Sequence, residues 1–125
     1  MTYTKVNYEE VDQVGNAMHF LSEPLETEQV GVTIARCDPG WKSRPHDHTD
    51  NGHEEVYVLI EGAATVVVDG ERVSMETGDA LWISPESVRQ IRNGDRESAF
   101  VLVSGPSIAD EDGSDGEWSL SGFAG

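Results

Sequence analysis

A chain of 125 residues, 37% of them hydrophobic, is sized for one domain with a core of its own and needs no disulfide staples. Its 24 acidic against 8 basic residues give a net charge of −16, which repels a phosphate backbone and an anionic membrane surface, so nucleic acid and membranes are excluded as partners. The single cysteine, Cys37, excludes an internal disulfide and a CxxC pair; it reads as a small buried hydrophobe in a reducing compartment.

Only two of the basic residues are lysines and the acids are spread along the chain. That pattern is expected of a surface adapted to high salt, where ions screen the self-repulsion. The N-terminus, MTYTKVNYEEVDQVG, shows no basic stretch followed by an apolar core, and no apolar run approaches the roughly 20 residues of a bilayer span. The expectation is a soluble, cytoplasmic protein.

Residues 1–28 are polar with scattered apolar positions and a turn of helix expected near Asn16 to Leu21. They read as an arm that packs over a barrel or a neighbouring subunit, with His19 as a packing or surface residue. From Gln29 the pattern changes. Val30, Val32 and Ile34 alternate with Gly31, Thr33 and Ala35, as in a half-buried strand, and Asp38-Pro39-Gly40 ends it. Lys42 to His48 is extended with Pro45 interrupting it, and Thr49 to Gly52 is a loop. Glu55 to Ile60 is a strand. Ala64 to Val68, Asp69-Gly70 and Glu71 to Met75 form the clearest hairpin, because Asp-Gly suits the left-handed dihedrals of a two-residue turn. Strands follow at Ala80 to Ile83, Val88 to Arg92 and Glu97 to Ser104, broken by Ser84-Pro85-Glu86-Ser87 and Asn93-Gly94-Asp95. Short strands about ten residues apart with Gly, Pro and Asp turns indicate an all-β barrel or sandwich. The domain plan is therefore an arm at 1–28, a barrel at 29–104 and an acidic tail at 105–125. The tail's composition reads as disorder, except that Trp118, Leu120 and Phe123 are expected to dock on the barrel or on a partner chain.

One stretch, Gly40 to Gly62, carries the chemistry. His46 and His48, spaced i, i+2, project to the same face of an extended segment. A carboxylate at the start of the next strand, Glu54 or Glu55, closes a metal-ligand set with them, and hairpin pairing is expected to bring it opposite. His53 lies in the loop between, either as a loop residue or, with the loop folded back, as a further ligand.

These residues resemble the cupin family, in particular its small single-domain, conserved-barrel members. The family's first motif is a glycine, five residues, His-x-His, a short gap, a glutamate, six residues and a glycine. Gly40, WKSRP, His46-Asp47-His48, Glu55, VYVLIE and Gly62 match it, and the spacing to Gly62 selects Glu55 over Glu54. The gap of six residues is longer than the family's usual three or four. In the second motif, Gly78 and Asn93 match the ends, but Ser84, Glu86 and Arg89 stand where the family has proline, glycine and histidine. The resemblance covers about residues 29 to 104 and implies an all-β cupin jelly-roll barrel, or double-stranded β-helix, with an N-terminal arm. It implies a divalent metal ion (Zn, Ni, Mn or Fe) held by His46, His48 and Glu55, with Arg89 at the fourth ligand's place. The arm's apolar positions and the family together imply a homodimer.

Arginine cannot ligate, because its guanidinium stays protonated. Two histidines and one carboxylate remain a recognised metal set with open positions. A divalent ion about 6 Å from a guanidinium would feel roughly 5 kcal/mol of repulsion at an effective dielectric near 20, so an anion or nearby carboxylates must offset it. Two functions follow. One is a metal-dependent dioxygenase, isomerase or lyase acting on a small anionic molecule, with Arg89 clamping an oxygen, Tyr57 as a proton donor and Trp41 and Trp82 as walls. The other is a non-catalytic, metal-free anion-binding or sensing barrel, with Arg89 paired to Glu55 or gripping the anion directly.

Overall fold

The computed structural model describes residues 2–106. Eight strands make nearly all of the regular structure: β1 (Met18–Phe20), β2 (Gly31–Cys37), β3 (Glu54–Glu61), β4 (Ala63–Val68), β5 (Glu71–Glu76), β6 (Ala80–Ile83), β7 (Arg89–Asn93) and β8 (Ser98–Gly105). Among the described residues, one short helix, α1 (Ser22–Leu25), and a 3-10 turn at Tyr8–Glu10 complete it. The Asp-Gly hairpin lies where its turn chemistry puts it. Asp69 and Gly70 both take positive φ, 49° and 84°, and the Asp69 side chain accepts the Val88 N–H at 2.8 Å.

The strands form two antiparallel sheets, one of five in the order β1-β2-β8-β3-β6 and one of three in the order β5-β4-β7. Their inner faces enclose one core, including Ala35, Cys37, Tyr57, Leu59, Val66, Met75, Ile83, Ile91 and Phe100. The chain passes from the first sheet to the second at Gly62, between β3 and β4. Its φ is +80°, and a Cβ there would run into the Glu97 carbonyl oxygen, so only glycine makes this crossing. At the far end of β7, buried Asn93 ties the sheets together. Its amide nitrogen lies 2.7–3.1 Å from the carbonyls of Cys37, Asp38 and Arg96, and its oxygen accepts the Ser98 hydroxyl at 2.8 Å.

The outer faces of the two sheets differ in kind. On the five-stranded sheet, register places Trp82, Val56, Val103 and Val32 in one row and Ala80, Val58, Val101 and Ile34 in the next. Trp82 is 60% exposed there. It does not wall the barrel interior as the sequence suggested: in β6 it has the parity opposite to buried Ile83, and its indole donates to Glu54 on the outside at 2.7 Å. On the three-stranded sheet the outward residues are Thr65 opposite Ser74 and Arg92, and Val67 opposite Arg72 and Gln90, with Lys42 bridged to Arg92.

The arm also differs from its expectation. Where a helical turn was expected at Asn16 to Leu21, Met18–Phe20 is a strand paired with Thr33–Ala35, and the helix begins after it at Ser22. Backbone pairing with an open sheet edge outweighs the weak helical pattern of so short a segment. His19 packs edge-on against Tyr8, with ring centroids 5.1 Å apart, and its Nδ1 lies 2.9 Å from the Val11 carbonyl. The expected docking of Trp118, Leu120 and Phe123 falls outside the described residues.

Candidate metal centre

Glu55 is the second residue of β3, so alternation turns it inward while Glu54 faces out to Trp82. Glu55 is 8% exposed, and Tyr57, two residues on, is buried behind it. Arg89, at the start of β7 in the opposite sheet, is fully buried. The histidines reach the site along the free edge of β7. His46 and Arg89 exchange two backbone hydrogen bonds at 3.1 and 2.8 Å, and the His48 N–H donates to the Pro85 carbonyl at 2.8 Å. Hairpin pairing with β3, expected from the sequence, is therefore replaced by pairing with β7. The segment's backbone donors are already satisfied there, and the intervening loop turns back on itself, Gly52 donating to the His48 carbonyl at 2.8 Å. The two imidazoles do stand side by side, with centroids 5.1 Å apart and rings at 85°.

The ligand atoms of His46, His48 and Glu55 all lie within 4.8 Å of one another. His53 is not part of this group and sits in the loop, its N–H bound to the Asn51 side chain. The donor set fits a divalent ion on two counts. His46 Nδ1 is 3.3 Å from the Arg44 carbonyl, which can only accept, so the proton sits on Nδ1 and Nε2 is left as a ligand atom. His48 Nε2 is buried with no hydrogen-bond partner, although Glu55 Oε1 is 3.2 Å away; the separation suits an ion pair, but the angle does not make a hydrogen bond. Residues sharing one divalent ion at about 2.1 Å would bring their ligand atoms to about 3 to 3.4 Å from one another. The group must close on it, and exposed His46 has the room to move.

Arg89 complicates the charge. Its Nη2 donates to the Ser84 carbonyl at 2.9 Å, and its Nε is 3.6 Å from Glu55 Oε1. The bidentate Arg89–Glu55 pair considered from the sequence is not formed, and Nε and Nη1 are buried without hydrogen-bond partners. The Tyr57 hydroxyl donates to Glu55 Oε1 at 3.4 Å. Burial, and then the Glu55 charge, push the Tyr57 pKa well above its ordinary 10.0, so it is a neutral phenol holding its proton. Asp47, exposed beside the site, is held below the usual carboxylate range by the Thr49 backbone and hydroxyl, with a smaller pull from Arg89 and His48.

Trp41 packs against the core with its indole donating to the Gly15 carbonyl at 2.9 Å, away from the ligand group. Asn93 was legible only as a motif end; its role as a clamp on three carbonyls needed the tertiary structure. A groove of about 320 Å³, lined in part by Val30, Val56, Val103 and Pro106, reaches Glu55 from the five-stranded side.

Comparison with known proteins agrees with this fold. The family description "Cupin domain" matches residues 33–105. An uncharacterized protein of Methanocaldococcus jannaschii is 30% identical over 74 residues, 58% of this chain and 58% of its own length, so the chain matches little more than half of that relative. A cupin protein from Bacteroides fragilis superposes with a TM-score of 0.73 at 24% identity, covering 89% of this chain and 90% of the other. A predicted oxalate decarboxylase from Thermotoga maritima gives 0.69 at 20%, covering 83% and 100%. At these identities the two structures show a shared fold. With a matched domain over most of the barrel, the chain belongs to the cupin family.

Proposed function

We propose that His46, His48 and Glu55 hold a divalent ion inside the barrel and that a small anion binds beside it, in a dioxygenase, isomerase or lyase. Zinc, nickel, manganese and iron all suit two imidazoles and one carboxylate. When bound, such an ion supplies Lewis-acid or oxygen-activating chemistry. The chain's own residues do the rest. Arg89 keeps a fixed positive charge in the interior, and the Tyr57 hydroxyl, which keeps its proton at neutral pH, donates to Glu55. The fold hosts many chemistries, so it does not choose among the reactions.

The buried, unpartnered His48 Nε2 facing the Glu55 carboxylate carries this reading. Protein purified without chelator is expected to retain about one ion per chain, and His48→Ala to lose it while keeping its far-ultraviolet spectrum. Metal-free protein from metal-replete cells would sink the proposal. The unpartnered nitrogens of Arg89 favour a second reading, a metal-free anion-binding barrel. Anion binding that survives chelator and disappears in Arg89→Ala would support it.

The outer face of the five-stranded sheet is read as the contact between two copies of the chain. Two bodies of charge −16 approach most cheaply through a surface poor in carboxylates, and the rows Trp82-Val56-Val103-Val32 and Ala80-Val58-Val101-Ile34 contain none, the Glu54 carboxylate at their edge being engaged by the Trp82 indole. The same charge is read as adaptation to high salt, which would screen the repulsion between the copies. The described residues contain no helix long and apolar enough to cross a membrane, and a buried free thiol at Cys37 favours a cytoplasmic setting.

A further inference from the structure

From the charges buried with the ligand group, we infer that this barrel binds its metal and a small dianionic carboxylate as a coupled pair, with Arg89 as the residue that couples them. The inference rests on the metal reading above.

Without an ion, the interior is balanced: the Arg89 guanidinium stands 3.6 Å from the Glu55 carboxylate, one positive charge beside one negative. A divalent ion on His46, His48 and Glu55 raises the cluster to a net charge of two positive. Asp47 does little to correct this, being exposed and already engaged by Thr49, so water screens it. The fully buried Arg89 cannot lose its proton. Nor can it retreat, because its backbone is fixed to His46 on one side and to Val68 on the other, and its Nη2 to the Ser84 carbonyl. The metal alone is therefore penalised.

A carboxylate carrying two negative charges removes that excess. It also satisfies the two guanidinium nitrogens, Nε and Nη1, that are buried without partners. Each ligand relieves what the other finds unfavourable, and thermodynamic reciprocity requires the two affinities to rise by the same factor. A monoanion such as acetate neutralises only half of the excess and couples less.

Equilibrium dialysis of the full chain against Mn²⁺, and separately Zn²⁺, at fixed free metal, with and without malonate, reads the coupling directly. Malonate is expected to tighten metal binding roughly ten- to hundred-fold and acetate to do less. In Arg89→Met the metal should bind more tightly than in the parent without malonate, and malonate should lose its effect. Arg89→Lys, which keeps the charge, should keep part of the coupling and serves if the methionine variant does not fold. Equal metal affinity of the parent chain with and without malonate overturns the inference while leaving the metal site standing. No metal binding in either condition overturns the metal site itself.

Discussion

The two sheets of this barrel have similar interiors and opposite exteriors. Both inner faces are mainly apolar and meet in one core, yet outside, the five-stranded sheet carries two rows of valine, isoleucine, alanine and tryptophan, while the three-stranded sheet carries Arg72, Ser74, Thr65, Gln90 and Arg92. The site divides along the same line. Glu55 and Tyr57 come from the five-stranded sheet, and Arg89 with the two histidines from β7 and the segment paired to its edge. The interior thus depends on how the two sheets are joined, and the exterior on which side chains each sheet turns outward.

The join is the most vulnerable point. Gly62→Ala forces a side chain into the left-handed region and against the Glu97 carbonyl, and should cost about 3 kcal/mol, lowering the melting temperature by about 10 °C for a chain of this size. A melting temperature unchanged within a degree or two would mean that the crossing is not constrained as described.

The exterior contrast is tested by placing the same charge on each sheet. Val101→Glu should weaken self-association roughly 100-fold, and Thr65→Glu should leave it unaltered, measured by sedimentation equilibrium in concentrated KCl. Association of the parent chain is expected to strengthen as KCl rises. A parent chain that stays monomeric at all salt concentrations rejects the interface.

A smaller effect separates the interiors. Cys37 and Tyr57, both on the inner face of the five-stranded sheet, have pKa values raised by burial from ordinary values of 9.0 and 10.0. The unfolded chain releases these protons at lower pH than the folded one, so above about pH 9 it binds fewer protons. Stability is intact below that point and should fall as pH rises, by up to about 1.4 kcal/mol per pH unit for each group. Urea unfolding at successive alkaline pH values measures the slope, and Tyr57→Phe should flatten it. The three-stranded sheet contributes no such group to the core cluster.

Much of this was legible beforehand. Strand β6 falls on Ala80–Ile83 as read, the Asp69-Gly70 hairpin stands, and the spacing to Gly62 picked Glu55 as the inward carboxylate. The sense of the alternation was not. In β2 the small residues Ala35 and Cys37 face the core while Val32 and Ile34 face out, and a strand apolar on both faces gives period-two logic nothing to choose with. Trp82 was misplaced for the same reason. The histidines' partner was also hidden, because pairing between residues some forty positions apart leaves no local mark.

By itself, the sequence determined the β architecture, the acidic surface and the identity of the three ligand candidates, since turn chemistry, charge and motif spacing are properties of neighbouring residues. Only the tertiary structure decided that His46 lies opposite Arg89 rather than opposite Glu55. It alone left the guanidinium buried with two unpartnered nitrogens beside a carboxylate it does not grip. Those facts depend on two sheets closing over one another, which brings into contact groups whose sequence separation carries no information about their distance.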